Sequence, residues 1–150
     1  MATGFALLLA AAISIRDQAG WRRGLLWGAA GYGVFFLAPA LGLPPELPGT
    51  QSAPLFDRQL WWAGTAASSA IGLWLAAFAR HGALRVLGLA LIAAPQVVGA
   101  PQPLSHGATA PNELARDFLR ASYFVNAIFW LALGALVGYA YSRLAAPLAR

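Results

Sequence analysis

Twenty consecutive residues, Ser122–Tyr141 (SYFVNAIFWLALGALVGYAY), carry no formal charge, and Arg120 and Arg143 bracket them. At 1.5 Å per residue such a helix is about 30 Å long, roughly the thickness of a bilayer core. Tyr123, Phe124 and Trp130 lie toward one end, Tyr139 and Tyr141 at the other. Gly134 and Gly138 form a GxxxG pair, a place where a second helix can approach closely. A soluble protein could hold this helix only by wrapping apolar side chains around it on every side.

The rest of the chain cannot supply a soluble surface to do so. Only 10% of the 150 residues are charged and 59% are hydrophobic, whereas ordinary soluble domains are roughly 25% charged. The expected class is therefore all-α, a polytopic transmembrane helical bundle of about five helices with a shortened first one. Residues 1–150 are read as a single integral membrane domain. Ten Arg oppose five acids, with no Lys. In a soluble chain that excess would raise nucleic-acid binding. Here Arg falls at the ends of apolar runs, where it anchors helices among lipid headgroups, so the expected partner is membrane lipid and not nucleic acid. With no Cys, disulfides and thiolate metal sites are excluded.

The predicted helices are 2–15, 24–43, 59–79, 84–100 and 122–141. The first is short for a span. It lacks a basic segment ahead of its apolar core, and Arg16, Arg22 and Arg23 come after it. That order argues for a membrane helix over a signal peptide and leaves room for an upstream helix. In the second, Gly20, Gly24 and Gly28 repeat at four-residue spacing. Pro39 is expected to kink its last turns, and Pro44 and Pro45 to end it. A proline-rich loop, 44–58, holds Glu46, Asp57 and Arg58. The third run opens on Trp61 and Trp62 and carries Gly64, Ser68 and Gly72 at intervals of four. In the fourth, Pro95 frees a carbonyl one turn upstream, and Gln96 is expected to hydrogen-bond in the interior. From about Pro111 a separate short amphipathic helix, with Leu114 and Phe118 on one face, is expected to rest on the membrane before the fifth run.

The arginines also orient the chain. Segments 16–23 and 80–85 and the tail hold seven Arg on one side; segments 44–58 and 101–121 hold three on the other. The richer side is expected to be cytoplasmic, with the N-terminus outside. Glu46, Asp57, His106, Glu113 and Asp117 then all fall outside. Carboxylates with an imidazole suit a borderline divalent cation such as cobalt or nickel, so these five are the candidate metal ligands. His81, in a tight turn beside Arg80, reads as interfacial.

No GxSxG, HExxH, Walker or GxGxxG motif is present, so no enzyme or resident cofactor is expected. No predicted span carries a mid-membrane Asp or Glu, which argues against a proton relay within this chain alone. Asn126 and Gln96 are the amides within apolar runs; interhelical hydrogen bonding is the plain reading, and lining a substrate path the sharper one. A membrane enzyme acting on lipid would need an interfacial His/Asp cluster, which only His106 with Glu113 and Asp117 approaches.

The segments GWRRGLLWGAAGYGVFFLAPALGLPPELPG, RQLWW, LGLALIAAPQVVGAPQP and SYFVNAIFWLALGALVGY resemble the CbtA family, predicted cobalt transporter subunits of bacteria. The most specific part is APALGLPPELPG followed some ten residues on by RQLWW. The resemblance implies an inner-membrane subunit of a divalent metal cation transporter, with cobalt as substrate. It also implies a small one-helix, histidine-bearing membrane partner, CbtB. Family members usually have a further membrane segment ahead of the ATGFALLLAAA region, and commonly His where this chain has Gln96. A non-transporting scaffold or assembly subunit is the second reading, favoured by the absence of acids within the spans.

Overall fold

Prolines and glycines set the helix limits. The computed structural model describes residues 2–103 and 111–145, and every regular element among them is helical. Helix α1 is Ala2–Arg16; α2, Trp21–Tyr32, passes through a π turn, Gly33–Leu37, into a short α3, Ala38–Ala40. Then come α4 (Leu55–Phe78), α5 (Gly82–Val98) and α6 (Asn112–Ala145). Counting α2 to α3 as one run, five helical runs stand where five were expected.

The limits differ from the expected ones for local reasons. The second run starts at Trp21 and ends at Ala40 rather than spanning 24–43. Asp17, at φ 48°, makes the turn before it, a conformation Asp tolerates better than most residues. Pro39 has no N–H for the Phe35 carbonyl, and the chain widens into the π turn just ahead of it rather than simply bending. Helix α4 starts four residues before 59 because Pro54 stands at its N-cap, and Asp57 suits the positive end of a helix. Helix α5 stops at Val98 rather than 100. Gly99, at φ 85°, takes a backbone conformation that a side chain would strain, and its N–H closes on the Pro95 carbonyl at 3.0 Å.

The largest correction concerns α6. The expected separate amphipathic helix does not exist: residues 112–145 are one 34-residue helix, about 51 Å long at 1.5 Å per residue. No Pro or Gly lies between Asn112 and Gly134, and the charged first turns are made of good helix formers that continue the ladder.

By length and composition, α6 is the one helix among the described residues able to cross a membrane. Only 17% of its apolar window is buried, whereas a soluble core helix would be mostly covered. Helices α1 and α5 are apolar but short, at 15 and 17 residues. Helix α4 has the length, at 24 residues, but Gln59, Thr65, Ser68 and Ser69 dilute its apolar character.

Two compact units divide the chain: Met1–Tyr32 with Phe124–Arg150, and Gly33–Tyr123. In the first, α2 and the second part of α6 run antiparallel, backbone against backbone. Gly20 meets Gly138, Gly24 meets Gly134, and Gly28 meets Trp130, so each step of four up α2 is a step of four down α6. A Cβ on Gly24 would overlap the Gly134 carbonyl oxygen, and a Cβ on Gly138 would lie 2.6 Å from the Gly20 carbonyl oxygen. The Gly20 N–H itself donates to the Gly138 carbonyl at 3.0 Å. Trp130, 2% exposed, covers Gly31, and its ring meets Phe5 of α1 with centroids 4.7 Å apart. The Tyr141 hydroxyl lies 3.2 Å from the Ser14 hydroxyl, and Trp27 Nε1 donates to Gln18 Oε1 at 3.2 Å.

In the second unit, α4 and α5 form an antiparallel hairpin closed on Gly72 and Gly88. A Cβ on either would lie 2.5 Å from the other's carbonyl oxygen. The π turn and α3 pack against the same α4: Phe35 approaches Trp62 with ring centroids at 6.4 Å, and Val34, Ala38 and Ala40 are buried.

Candidate functional site

Within the Gly33–Tyr123 unit, α3 ends at the proline-rich loop; its Pro39 carbonyl accepts the Gly42 and Leu43 N–H groups, and the Ala38 and Ala40 carbonyls on either side need other donors. Side chains supply them. Gln96 Nε2 donates to the Ala38 carbonyl at 2.9 Å, and the Tyr123 hydroxyl reaches the Ala40 carbonyl at 3.4 Å. A second freed carbonyl is that of Leu91, four residues before Pro95, which has no N–H to give it. The Ser68 hydroxyl donates to it across the hairpin at 2.5 Å. A helical serine can bond back to its own helix; Pro95 draws Ser68 across instead. The expected interior role of Gln96 as a hydrogen-bond donor is met.

Three buried polar atoms among the described residues have no hydrogen-bond partner: Trp61 Nε1, Thr65 Oγ1 and Ser69 Oγ. All belong to α4, at positions i, i+4 and i+8, hence along one side of the helix. Thr65 is 1% exposed and Ser69 3%. A buried donor or acceptor left unpaired costs about 1–3 kcal/mol, so two hydroxyls and an indole N–H in one line are more than packing alone accounts for. Thr65 and Trp61 also line an open groove of about 270 Å³ with Gly64, Ser68, Ala94, Pro95 and Val98. Beyond its own helix, nothing comes within 4 Å of the position a Gly64 Cβ would take, so no neighbouring helix packs on this glycine.

Above this, the loop after α3 and the chain after α5 enclose a cleft of about 390 Å³ whose polar lining includes Glu46, Thr50, Gln51, Arg58 and Gln102. Glu46 is held on two sides: the Ser52 hydroxyl donates to it at 2.5 Å, and an Arg58 guanidinium nitrogen stands 3.9 Å away. Trp61 adjoins both spaces. Its ring lies against Gly42, which lines the cleft, while Trp61 itself lines the groove.

The five sequence-predicted metal ligands are scattered. Glu46 lies in the cleft; Asp57 is exposed in the first turn of α4; Glu113 is exposed in the first turn of α6. Asp117 faces Arg120 at 3.7 Å on an exposed helix surface. His106 lies outside the described residues. Among the described residues no three of His, Cys, Asp and Glu gather as a metal cluster. The line Trp61–Thr65–Ser69 was missed from sequence, although its four-residue spacing was the available signal.

A family model described as "Probable cobalt transporter subunit (CbtA)" matches residues 1–142. The chain belongs to the CbtA family. No curated protein and no solved structure matches it. As a CbtA chain its role is that of a cobalt-transporter subunit, and the family is one of transport, not of enzymes. The cleft, groove and interior polar line are thus features of a CbtA subunit in which the Gln96 amide of α5 is hydrogen-bonded to α3.

Proposed function

We propose that this CbtA chain is a multi-pass inner-membrane subunit that takes up a divalent cation, cobalt, from outside the cell. All five helical runs are embedded as one domain, with the N-terminus outside and the C-terminus in the cytoplasm. The observation that carries the reading is the family match over residues 1–142. Many large apolar side chains outside α6, such as Leu7, Leu8, Leu26, Ile71, Val86 and Leu89, are exposed, which supports membrane contact for the shorter helices as well. The Arg excess on the opposite loops supports the orientation.

On this reading the Glu46 cleft receives the cation. Asp57, Glu113 and Asp117 are read as outer-side carboxylates that raise its local concentration by charge, and His106 of the same outer segment as a source of an imidazole ligand. Glu46 is shared with Arg58 at 3.9 Å, a distance at which an arriving cation competes with the guanidinium. A small one-helix, histidine-bearing membrane subunit supplies the imidazoles that this chain lacks among its spans. The second reading, a scaffold that does not itself transport, is favoured by one observation: no three metal-ligating side chains meet among the described residues.

Radiolabelled cobalt uptake in cells stripped of their own transporters tests this. The chain is expressed alone, with the one-helix subunit, and in an upstream-extended form, with nickel and zinc compared. Cobalt uptake that depends on the chain and drops with Glu46→Gln supports the reading. Membrane insertion without uptake in any form moves the assignment to the scaffold.

A further inference from the structure

The three unpartnered polar atoms of α4 lie in one file. Trp61, Thr65 and Ser69 succeed one another every four residues, so the file spans about 12 Å along the helix axis. Its first members, Trp61 and Thr65, line the open groove, and Trp61 also touches the floor of the loop cleft through Gly42. Thr65 Oγ1 and Ser69 Oγ can each donate and accept, whereas Trp61 Nε1 only donates. A set of buried donors and acceptors with no protein partner and no charge is suited to water and to the water shell of a cation. It is unsuited to a tightly held bare metal ion, because Thr and Ser hydroxyls are weak ligands beside His or carboxylate.

We propose that Trp61, Thr65 and Ser69 line a hydrated route for a divalent cation through the Gly33–Tyr123 unit. The Trp61 ring is the side chain that separates this route from the outer cleft. The ring is wedged on Gly42, where a Cβ would lie 2.6 Å from one of its atoms and 2.9 Å from Ala100 Cβ, so a small shift of the loop end moves the indole. The neutral lining lets the cation keep its inner waters and leave again, where a carboxylate at this depth would hold it. This inference rests on the transporter-subunit reading and adds where in the chain the cation passes.

The chain has no cysteine, so single thiols can be placed without background. Thr65→Cys, Ser69→Cys, Gln51→Cys in the loop cleft and Ala67→Cys, on an exposed part of α4, are each made in the full chain. They are reconstituted in phosphatidylethanolamine/phosphatidylglycerol vesicles and treated with a small cationic methanethiosulfonate. The expected result is modification at 65 and 69 within about tenfold of the rate at 51, slowing when cobalt is added, with 67 unreactive. Trp61→Ala is expected to raise the rates at 65 and 69 at least tenfold. Thiols at 65 and 69 as inert as that at 67, with or without Trp61, overturn the route. Cobalt uptake by the same variants is measured in parallel: inert thiols with uptake intact remove the route and leave the subunit reading standing, whereas reactive thiols without uptake in the unmodified chain do the reverse.

Discussion

Ser68 Oγ donates at 2.5 Å to the carbonyl of Leu91, the group that Pro95 leaves without its helical partner. A proline within one helix is thus answered by a hydroxyl on its neighbour, and the α4–α5 hairpin is tied at the point where α5 is weakest. Removing either partner has a directional consequence. Ser68→Ala leaves a carbonyl unpaired in apolar surroundings and is expected to cost about 1–3 kcal/mol. Ser68→Thr keeps the donor and costs less. Pro95→Ala restores an N–H that competes for the same carbonyl, so Ser68→Ala in that background is expected to be milder. Detergent-solubilised thermal unfolding of the parent and these four variants reads the difference, and equal losses in both backgrounds would exclude the link.

The glycine register between α2 and α6 makes a second, opposed pair of expectations. Gly24 and Gly134 touch through backbone, with Gly28 Cα 2.6 Å from where a Gly134 Cβ would stand. Gly24→Val or Gly134→Val therefore forces the helices apart and is expected to abolish stable folding. Gly64→Ala meets nothing within 4 Å and replaces glycine in a helix interior, so it is expected to be neutral or stabilising by about 0.5–1 kcal/mol. Size-exclusion profiles and unfolding midpoints of the three variants check both directions.

Gln96 offers a third. Its amide caps the Ala38 carbonyl at 2.9 Å. Gln96→Leu removes the donor and is expected to destabilise by about 1–3 kcal/mol. Gln96→His keeps an N–H of shorter reach and is expected to fall between the two. The order of unfolding midpoints, Gln96 above His above Leu, is the check; a leucine variant as stable as the parent would mean that the cap contributes nothing.

The sequence made some of these relations legible and hid others. The glycine spacing at 20, 24 and 28 and the pair at 134 and 138 announced two bare helix faces, and the structure presses them together. Pro95 announced a freed carbonyl, but only the fold reveals that Ser68 meets it, because a serine hydroxyl has several acceptors within reach from one sequence position. The charges at Arg116, Asp117 and Arg120 ended the apolar run on paper at Ser122, although hydropathy says nothing about backbone continuity and α6 runs on through them. Residue type points to the candidate ligands, but type alone cannot tell a free carboxylate from one engaged by Ser52 and Arg58, as Glu46 is. The file at Trp61, Thr65 and Ser69 was hidden for the converse reason. Hydroxyls on a helix ordinarily bond back to it, and only the absence of such bonds distinguishes these.

The Glu46–Arg58 pair gives the last expectation, because its two sides separate stability from capture. The side chains are 31% and 36% exposed and stand 3.9 Å apart; a pair this open to water is worth about 0–1 kcal/mol. Arg58→Gln is therefore expected to leave the unfolding midpoint nearly unchanged. It also removes a positive charge beside Glu46, the only carboxylate among the described residues that line the cleft, so half-maximal cobalt uptake is expected at a lower concentration. Glu46→Gln is expected to move it the other way, and the double variant to resemble Glu46→Gln, since Arg58 acts only through the charge it masks. Concentration dependence of initial uptake at low and high ionic strength measures all three. Salt should compress the differences, as screening shortens the reach of exposed charges to about 8–10 Å. Identical half-saturation for all variants would take the cleft out of the cation's path and leave Glu46 a loop residue held by its neighbours.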